Sequence, residues 1–252
     1  MKTIYKKELR SYFFTMTGYV FIAAFLLSTA LFFTVNNIFM DSDSLSNVLL
    51  SNCYIMILII PPLTMRLFAE ERKSKTEQIW LSAPVKLNSV VLSKFFAALT
   101  VFAIALLLSL VFPFLLSILG SQFYIGEAII GYIGCALVCF CLISLGMFLS
   151  SLFENQLSCA VATAVSILAL YLADTVGTSV SVNGLRDVLC VVTPYYHLRL
   201  FRVGLLLPSS IAQLFSFAAV FVLLTIVALD ARISKTQGAW RGKAYDNAEK
   251  TQ

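Results

Sequence analysis

The chain has 252 residues, of which 60% are hydrophobic and 12% charged, with a formal net charge of +5 and a mean hydropathy of +0.90. A soluble domain is about 45–50% apolar and about 25% charged, so this composition excludes a water-soluble globular protein and describes an integral membrane protein.

The opening stretch, M-K-T-I-Y-K-K-E-L-R-S-Y-F-F, places Ile4, Tyr5, Leu9, Tyr12 and Phe13 at helical spacing with Lys2, Lys6, Lys7 and Arg10 among them. This predicts a short amphipathic helix in the headgroup region, with lysine stems along apolar surface and their charges in water. The plainer reading is a positive flank that only orients the first span. The apolar run that follows is too long for the core of a cleavable signal peptide, and no small-residue cleavage site closes it.

Crossing about 30 Å of hydrocarbon takes about 20 helical residues. Runs of that length lie at 18–39, 48–68, 91–119, 128–151, 157–176 and 209–229. They are continuous, whereas barrel strands would alternate every second residue. The expected fold is therefore an all-α polytopic membrane protein with six transmembrane helices. Pro61-Pro62 and Pro113 predict kinks, because proline removes a ladder hydrogen bond. Gly131, Gly134, Cys135, Ser144 and Gly146 give the fourth span small residues on which another helix can pack closely. Asp174 lies near the end of its span and reads as interfacial, in preference to a proton relay.

The 18 lysines and arginines set the orientation, since basic residues near span ends are retained in the cytoplasm. All but Arg186, Arg199 and Arg202 fall in the N-terminal arm, in 66–94 or beyond 229. These three segments share one face of a six-span chain, which places both termini and the central loop in the cytoplasm. Residues 40–47 and 120–127 are then outside. So is 177–208, whose V-L-C-V-V and L-R-L-F-R-V-G-L-L-L patches predict one or two short helices dipping into the outer leaflet. The competing reading of that region, a seventh span, would put the basic tail outside.

The central loop is patterned as a structured element. Ser74 and Glu77 form a capping box, so a short helix is expected to begin near Lys75, and Pro84 should end it. Ile79, Trp80 and Leu81 are bulky apolar residues that a solvated loop has no use for, so a receiving surface is expected. Trp80 could alternatively anchor the loop at the membrane surface.

Little chemistry is visible. Cys135, Cys139 and Cys141 are candidate metal ligands, but no histidine or carboxylate lies beside them in the sequence, and Cys141 is off the face shared by the other two. They read as helix-packing residues, and no metal is expected. Gly238 to Lys243 falls short of a phosphate loop, with one residue too few and no following Ser or Thr. His197 is the single histidine and has no nucleophile arrangement around it. No catalytic residue is expected.

The segment P-P-L-T-M-R-L-F-A-E-E-R-K-S-K-T-E-Q-I-W-L-S-A-P-V resembles the P-x-L-T-M-R-x-F-A-E-E-R-x-x-G-T-x-E-x-L-x-x-x-P-V pattern of ABC-2 type transporter permeases, in particular the gliding-motility-like subgroup. K-K-E-L-R-S-Y-F, L-F-E-N-Q and P-Y-Y-H-L-R-L-F-R-V-G support the likeness in the family's order. Lys75 stands where the family usually has Gly, and Glu77 is shifted from the usual acidic position.

The resemblance implies a single permease domain over 1–231 followed by a basic cytoplasmic tail over 232–252. It implies a bacterial plasma-membrane subunit of an exporter, driven by a separate nucleotide-binding ATPase that docks on it from the cytoplasm. The helix between the second and third spans would be the coupling helix, with the N-terminal helix at the same interface. Glu70, Glu71, Arg72, Glu77, Ile79 and Trp80 would carry coupling, and Pro61 and Pro62 the hinge. Two permease chains would frame the cargo path. The permease itself would need no cofactor, ATP being bound by its partner, and no nucleic acid is implied. The competing classes are a stand-alone secondary transporter or channel, which would show ionisable residues at the midplane, and a non-transporting assembly factor.

Overall fold

The computed structural model describes residues 2–39, 45–73, 87–118, 125–179, 193–202 and 204–249, with side chains as far as 232. The described residues form helices and their connections, with no strand among them. In chain order the helices are α1 (Lys2–Phe14), α2 (Thr17–Phe33, continuing as a π-helical stretch Thr34–Phe39), α3 (Leu45–Thr64), α4 (Ala69–Lys73) and α5 (Leu87–Leu108). They are followed by α6 (Val111–Ile118), α7 (Ile125–Leu152), α8 (Gln156–Ser179), α9 (Pro194–Arg202) and α10 (Pro208–Glu249).

Six stretches among the described residues are long and apolar enough to cross a membrane: Thr17–Phe39, Leu45–Lys73, Leu87–Ile118, Ile125–Leu152, Gln156–Gly177 and Pro208–Arg232. Each coincides with an expected span to within a few residues. The bundle is centred on α3 and α7, where 61% of each apolar window is buried, against 22% for α8 and α10 at the periphery. The outer helices turn residues such as Leu157, Val161, Leu223 and Val227 outward. A largely apolar surface of that kind suits lipid and would be a liability in water.

The proximity of α3 to α7 follows from the small residues of α7. A Cβ on Gly131 would lie 2.9 Å from Ser46 Cα, and one on Gly146 2.6 Å from Thr64 Oγ1. At Gly134 it would strike the Phe201 ring at 2.7 Å, so the same stripe receives α9. Gly131→Ala is expected to destabilise the fold by about 1–3 kcal/mol, because the opposing atom is backbone and cannot rotate away. Gly126 at the start of α7 has nothing within 4 Å of its virtual Cβ. Gly126→Ala should therefore be neutral or stabilising by up to about 1 kcal/mol through helix propensity. Thermal unfolding of both variants in the same detergent checks the pair, and equal melting temperatures would refute the close approach.

The third span breaks where proline physics places the break. Pro113 lacks an N–H, and its ring crowds the carbonyl four residues earlier. The helix accordingly interrupts at Ser109 and Leu110. The Ser109 carbonyl is covered by the Phe112 N–H (3.0 Å) and by the Tyr132 hydroxyl of α7 (2.9 Å).

In the region 177–208, α9 is a short amphipathic helix that buries Tyr195, His197, Leu198 and Phe201. Tyr195 stacks on Tyr54 of α3 (5.8 Å between centroids) and meets Tyr171 of α8 edge-on. Asp174 is 4% exposed and pairs with Arg199 of α9 at 2.5 Å. The lone carboxylate of the fifth span thus latches α9 to the bundle. Neither ring nitrogen of His197 has a hydrogen-bond partner among the described residues, and burial holds this histidine below its ordinary value. At the other end, α10 continues without a break through the stretch read as a tail, to Glu249.

Candidate functional site

The α1 helix forms as its periodicity requires. Tyr12 is buried, Ile4, Tyr5, Glu8, Leu9 and Phe13 are half-buried, and Lys2, Lys6, Lys7 and Arg10 are exposed. The buried face lies along α5 and α2, with the Tyr5 and Thr100 hydroxyls hydrogen-bonded at 2.9 Å. Met16 then adopts a left-handed conformation (φ 60°) between α1 and α2.

The second span ends beside this arm. Pro61 is buried and Pro62 exposed inside α3, and helical geometry persists to Thr64 before giving way to turns over 65–68. The Leu67 N–H bonds the Thr64 carbonyl (3.1 Å). The Leu63 carbonyl instead receives the Tyr12 hydroxyl from α1 (3.1 Å). Burial, with the Glu8 carboxylate adding to it, pushes the Tyr12 phenol well above its ordinary value. It therefore remains a donor throughout the physiological range.

Helix α4 is too short to persist alone and is held by α7. The Ser150 hydroxyl accepts the N–H groups of Phe68 (3.0 Å) and Ala69 (3.2 Å) at the start of α4. In return Arg72 donates to the carbonyls of Ser151 (2.7 Å) and Phe153 (2.9 Å) at the end of α7. Each helix end supplies what the other lacks, since first-turn N–H and last-turn C=O groups have no partner within their own helix.

Two ionic clusters complete the junction. Arg66 forms a two-pronged pair with Glu70, with Nη2 to Oε1 at 2.7 Å, and its Nη1 also donates to Thr15 and Thr17 at the α1–α2 break. Lys94 of α5, 1% exposed, meets Glu71 of α4 at 3.0 Å and Glu8 of α1 at 3.2 Å. Its ammonium also stands 5.3 Å from the centroid of the Phe68 ring. One buried cation therefore joins three helices that are remote in sequence. Such a group is costly to desolvate and is tolerated only with its partners in place.

Of the residues expected to couple, Glu70, Glu71 and Arg72 come together here on α4, which begins seven residues after Pro62. Glu71 and Arg72 turn inward to Lys94 and to the end of α7, and Glu70 is held by Arg66. Glu77, Ile79 and Trp80 lie outside the described residues. Sequence reading had not singled out Glu8, Arg66, Lys94 or Ser150. Lys94 carried a signal, being a lone cation inside the third apolar run. Ser150 carried none.

Among the described residues of this junction no nucleophile stands beside a base, and the elements are held together by ion pairs and by the capping of helix ends. The profile of the ABC-2 family transporter protein matches residues 22–229, which runs from within α2 to within α10 and leaves α1 outside the match. No curated protein sequence matches the chain. With six apolar spans and a family match over most of its length, this chain belongs to the ABC-2 transporter family and is a multi-pass membrane permease of an ABC transporter.

Proposed function

We propose that the chain is the permease half of an exporter of the gliding-motility-like type, energised by a separate ATPase subunit that docks against α1, α4 and the segment 74–86. The observation that carries this reading is the Lys94 cluster. It ties the N-terminal arm and α4 to the third span at the point where the chain enters 74–86, the loop that an ATPase would move. Displacement of α4 reaches α3 through 65–68, next to the prolines, reaches α7 through Ser150 and Arg72, and reaches α5 through Lys94. The family match supports a partnership with an ATPase in general. Catalysis of ATP hydrolysis is assigned to that partner, and the permease needs no cofactor of its own. Two permease chains, identical or related, are proposed to enclose the cargo path.

Affinity purification of the tagged permease from its native membranes tests the reading. A nucleotide-binding subunit should copurify, and its ATP hydrolysis should rise in the presence of the permease. Recovery of active transport without any ATPase would return the chain to the secondary-transporter class.

The proposed setting is the bacterial plasma membrane with both termini cytoplasmic, as the basic residues suggest. Single cysteines placed at 43 and 247 in a cysteine-depleted chain should react with an impermeant thiol reagent in intact cells only at 43. Labelling at 247 would overturn this orientation.

A further inference from the structure

Cys135 and Cys139 lie one turn apart on α7 and so share a face, and that face is turned to Cys53 of α3. All three residues are fully buried, and their Sγ atoms all lie within 4.8 Å of one another. None is in a disulfide. Cys141 points elsewhere, its thiol donating to the Leu214 carbonyl of α10 at 3.1 Å. The trio therefore differs from the one weighed on sequence, because the third thiol comes from a helix far away in the chain.

With metal–sulfur bonds of about 2.3 Å, two sulfurs on a linear centre are about 4.6 Å apart and those of a trigonal centre about 4 Å apart. A group whose sulfurs all lie within 4.8 Å of one another admits both geometries with rotamer adjustment and no movement of the helices. Sulfur-only donors select soft d10 ions. Structural zinc and iron–sulfur centres call for four protein ligands, whereas the group formed among the described residues contains three thiols and no histidine or carboxylate. Monovalent copper is content with two or three sulfurs, the number this group supplies.

We propose that Cys53, Cys135 and Cys139 form a binding site for Cu(I) that bridges the two central helices. On binding, two Sγ–H bonds break and two Cu–S bonds form, two protons pass to water, and the copper stays monovalent. The third thiol remains protonated beside a linear centre, or gives its own proton to water as a third Cu–S bond forms and the centre becomes trigonal. The ion would staple α3 to α7, the pair between which the fold is built. This site is independent of what the permease exports and of its coupling to an ATPase.

The test uses the full-length permease, purified without oxygen and loaded with Cu(I) buffered by bicinchoninate. The wild-type chain should retain about one copper per chain with a sulfur-only X-ray absorption shell. Cys53→Ser and Cys139→Ser should each weaken retention at least about tenfold, and Cys141→Ser and Cys159→Ser should not. A second measurement needs no variant. After brief denaturation in N-ethylmaleimide, copper should shield Cys53, Cys135 and Cys139 from alkylation while Cys141 and Cys159 label fully. Copper retention no greater than in the Cys53→Ser/Cys135→Ser/Cys139→Ser chain, or labelling of Cys53, Cys135 and Cys139 as complete as that of Cys141 and Cys159, would overturn the proposal.

Discussion

Lys94→Ala is expected to be the most damaging single substitution at the junction, lowering stability by about 3–5 kcal/mol, the usual cost of breaking a buried ion pair from one side. Glu8 and Glu71, with side chains 12% and 18% exposed, would be left facing each other without the cation between them. Helix α1 should then lift from α5. Limited proteolysis should cut near Met16 in the variant and spare the wild type, and the melting temperature in lipid nanodiscs should fall. The triple variant Glu8→Gln/Lys94→Met/Glu71→Gln removes the charges together and should recover most of the loss, because whole buried ion clusters are often replaceable by neutral residues. Transport separates two roles. If the charges transmit motion from α4 and α1 to the third span, the triple variant will be stable yet uncoupled. Full transport by the triple variant would reduce the cluster to a folding device.

Trp80→Ala is expected to weaken binding of the cognate ATPase at least about tenfold. Buried aromatic anchors at interfaces commonly cost about 2 kcal/mol or more when truncated, and about 1.4 kcal/mol is a factor of ten. The capping box at Ser74 and Glu77 and the stop at Pro84 would hold Ile79, Trp80 and Leu81 in a helix able to seat in a groove. Glu70, gripped by Arg66, should instead act by positioning α4, so Glu70→Gln should lower stability more than it alters affinity. The measurement is a pull-down of the ATPase at matched permease levels, together with stimulated ATP hydrolysis. Undiminished binding and stimulation by Trp80→Ala would leave the tryptophan as a membrane-surface anchor and remove the loop helix from coupling.

The spans were legible because hydrocarbon thickness and backbone satisfaction leave a long apolar run almost no freedom. The amphipathic character of α1 was equally plain from the positions of Tyr5, Leu9 and Tyr12. What the linear pattern could not show was partnership at a distance. The break in the third span was expected at Pro113 and falls four residues earlier, at the carbonyl the ring displaces, which Tyr132 then covers. Asp174 read as interfacial, and its partner Arg199 became visible only when α9 folded back. Glu71 and Arg72 stand out in the sequence only as coupling residues, because nothing in R-L-F-A-E-E-R-K reports that α5 and the end of α7 lie beneath them. Cys53 could not be joined to Cys135 and Cys139 by spacing, since the connection is made by helix packing. The basic tail looked separable from the last span, and the backbone carries the helix through it.

Asn52 lies in the interior of the second span, fully buried. Its side-chain oxygen accepts the Ser28 hydroxyl at 2.6 Å, and its amide donates to Thr29 at 2.7 Å. An amide left unpaired in hydrocarbon costs roughly 2–7 kcal/mol, so this helix is poorly suited to entering a bilayer by itself. Both partners belong to the helix synthesised immediately before it. The order of synthesis therefore matters: with α2 already in place, α3 can exchange water for Ser28 and Thr29 as it leaves the aqueous path, and the two helices can enter lipid as a hairpin. A circular permutation that separated them would deliver the same residues to the membrane and deprive Asn52 of its partners at the moment of insertion.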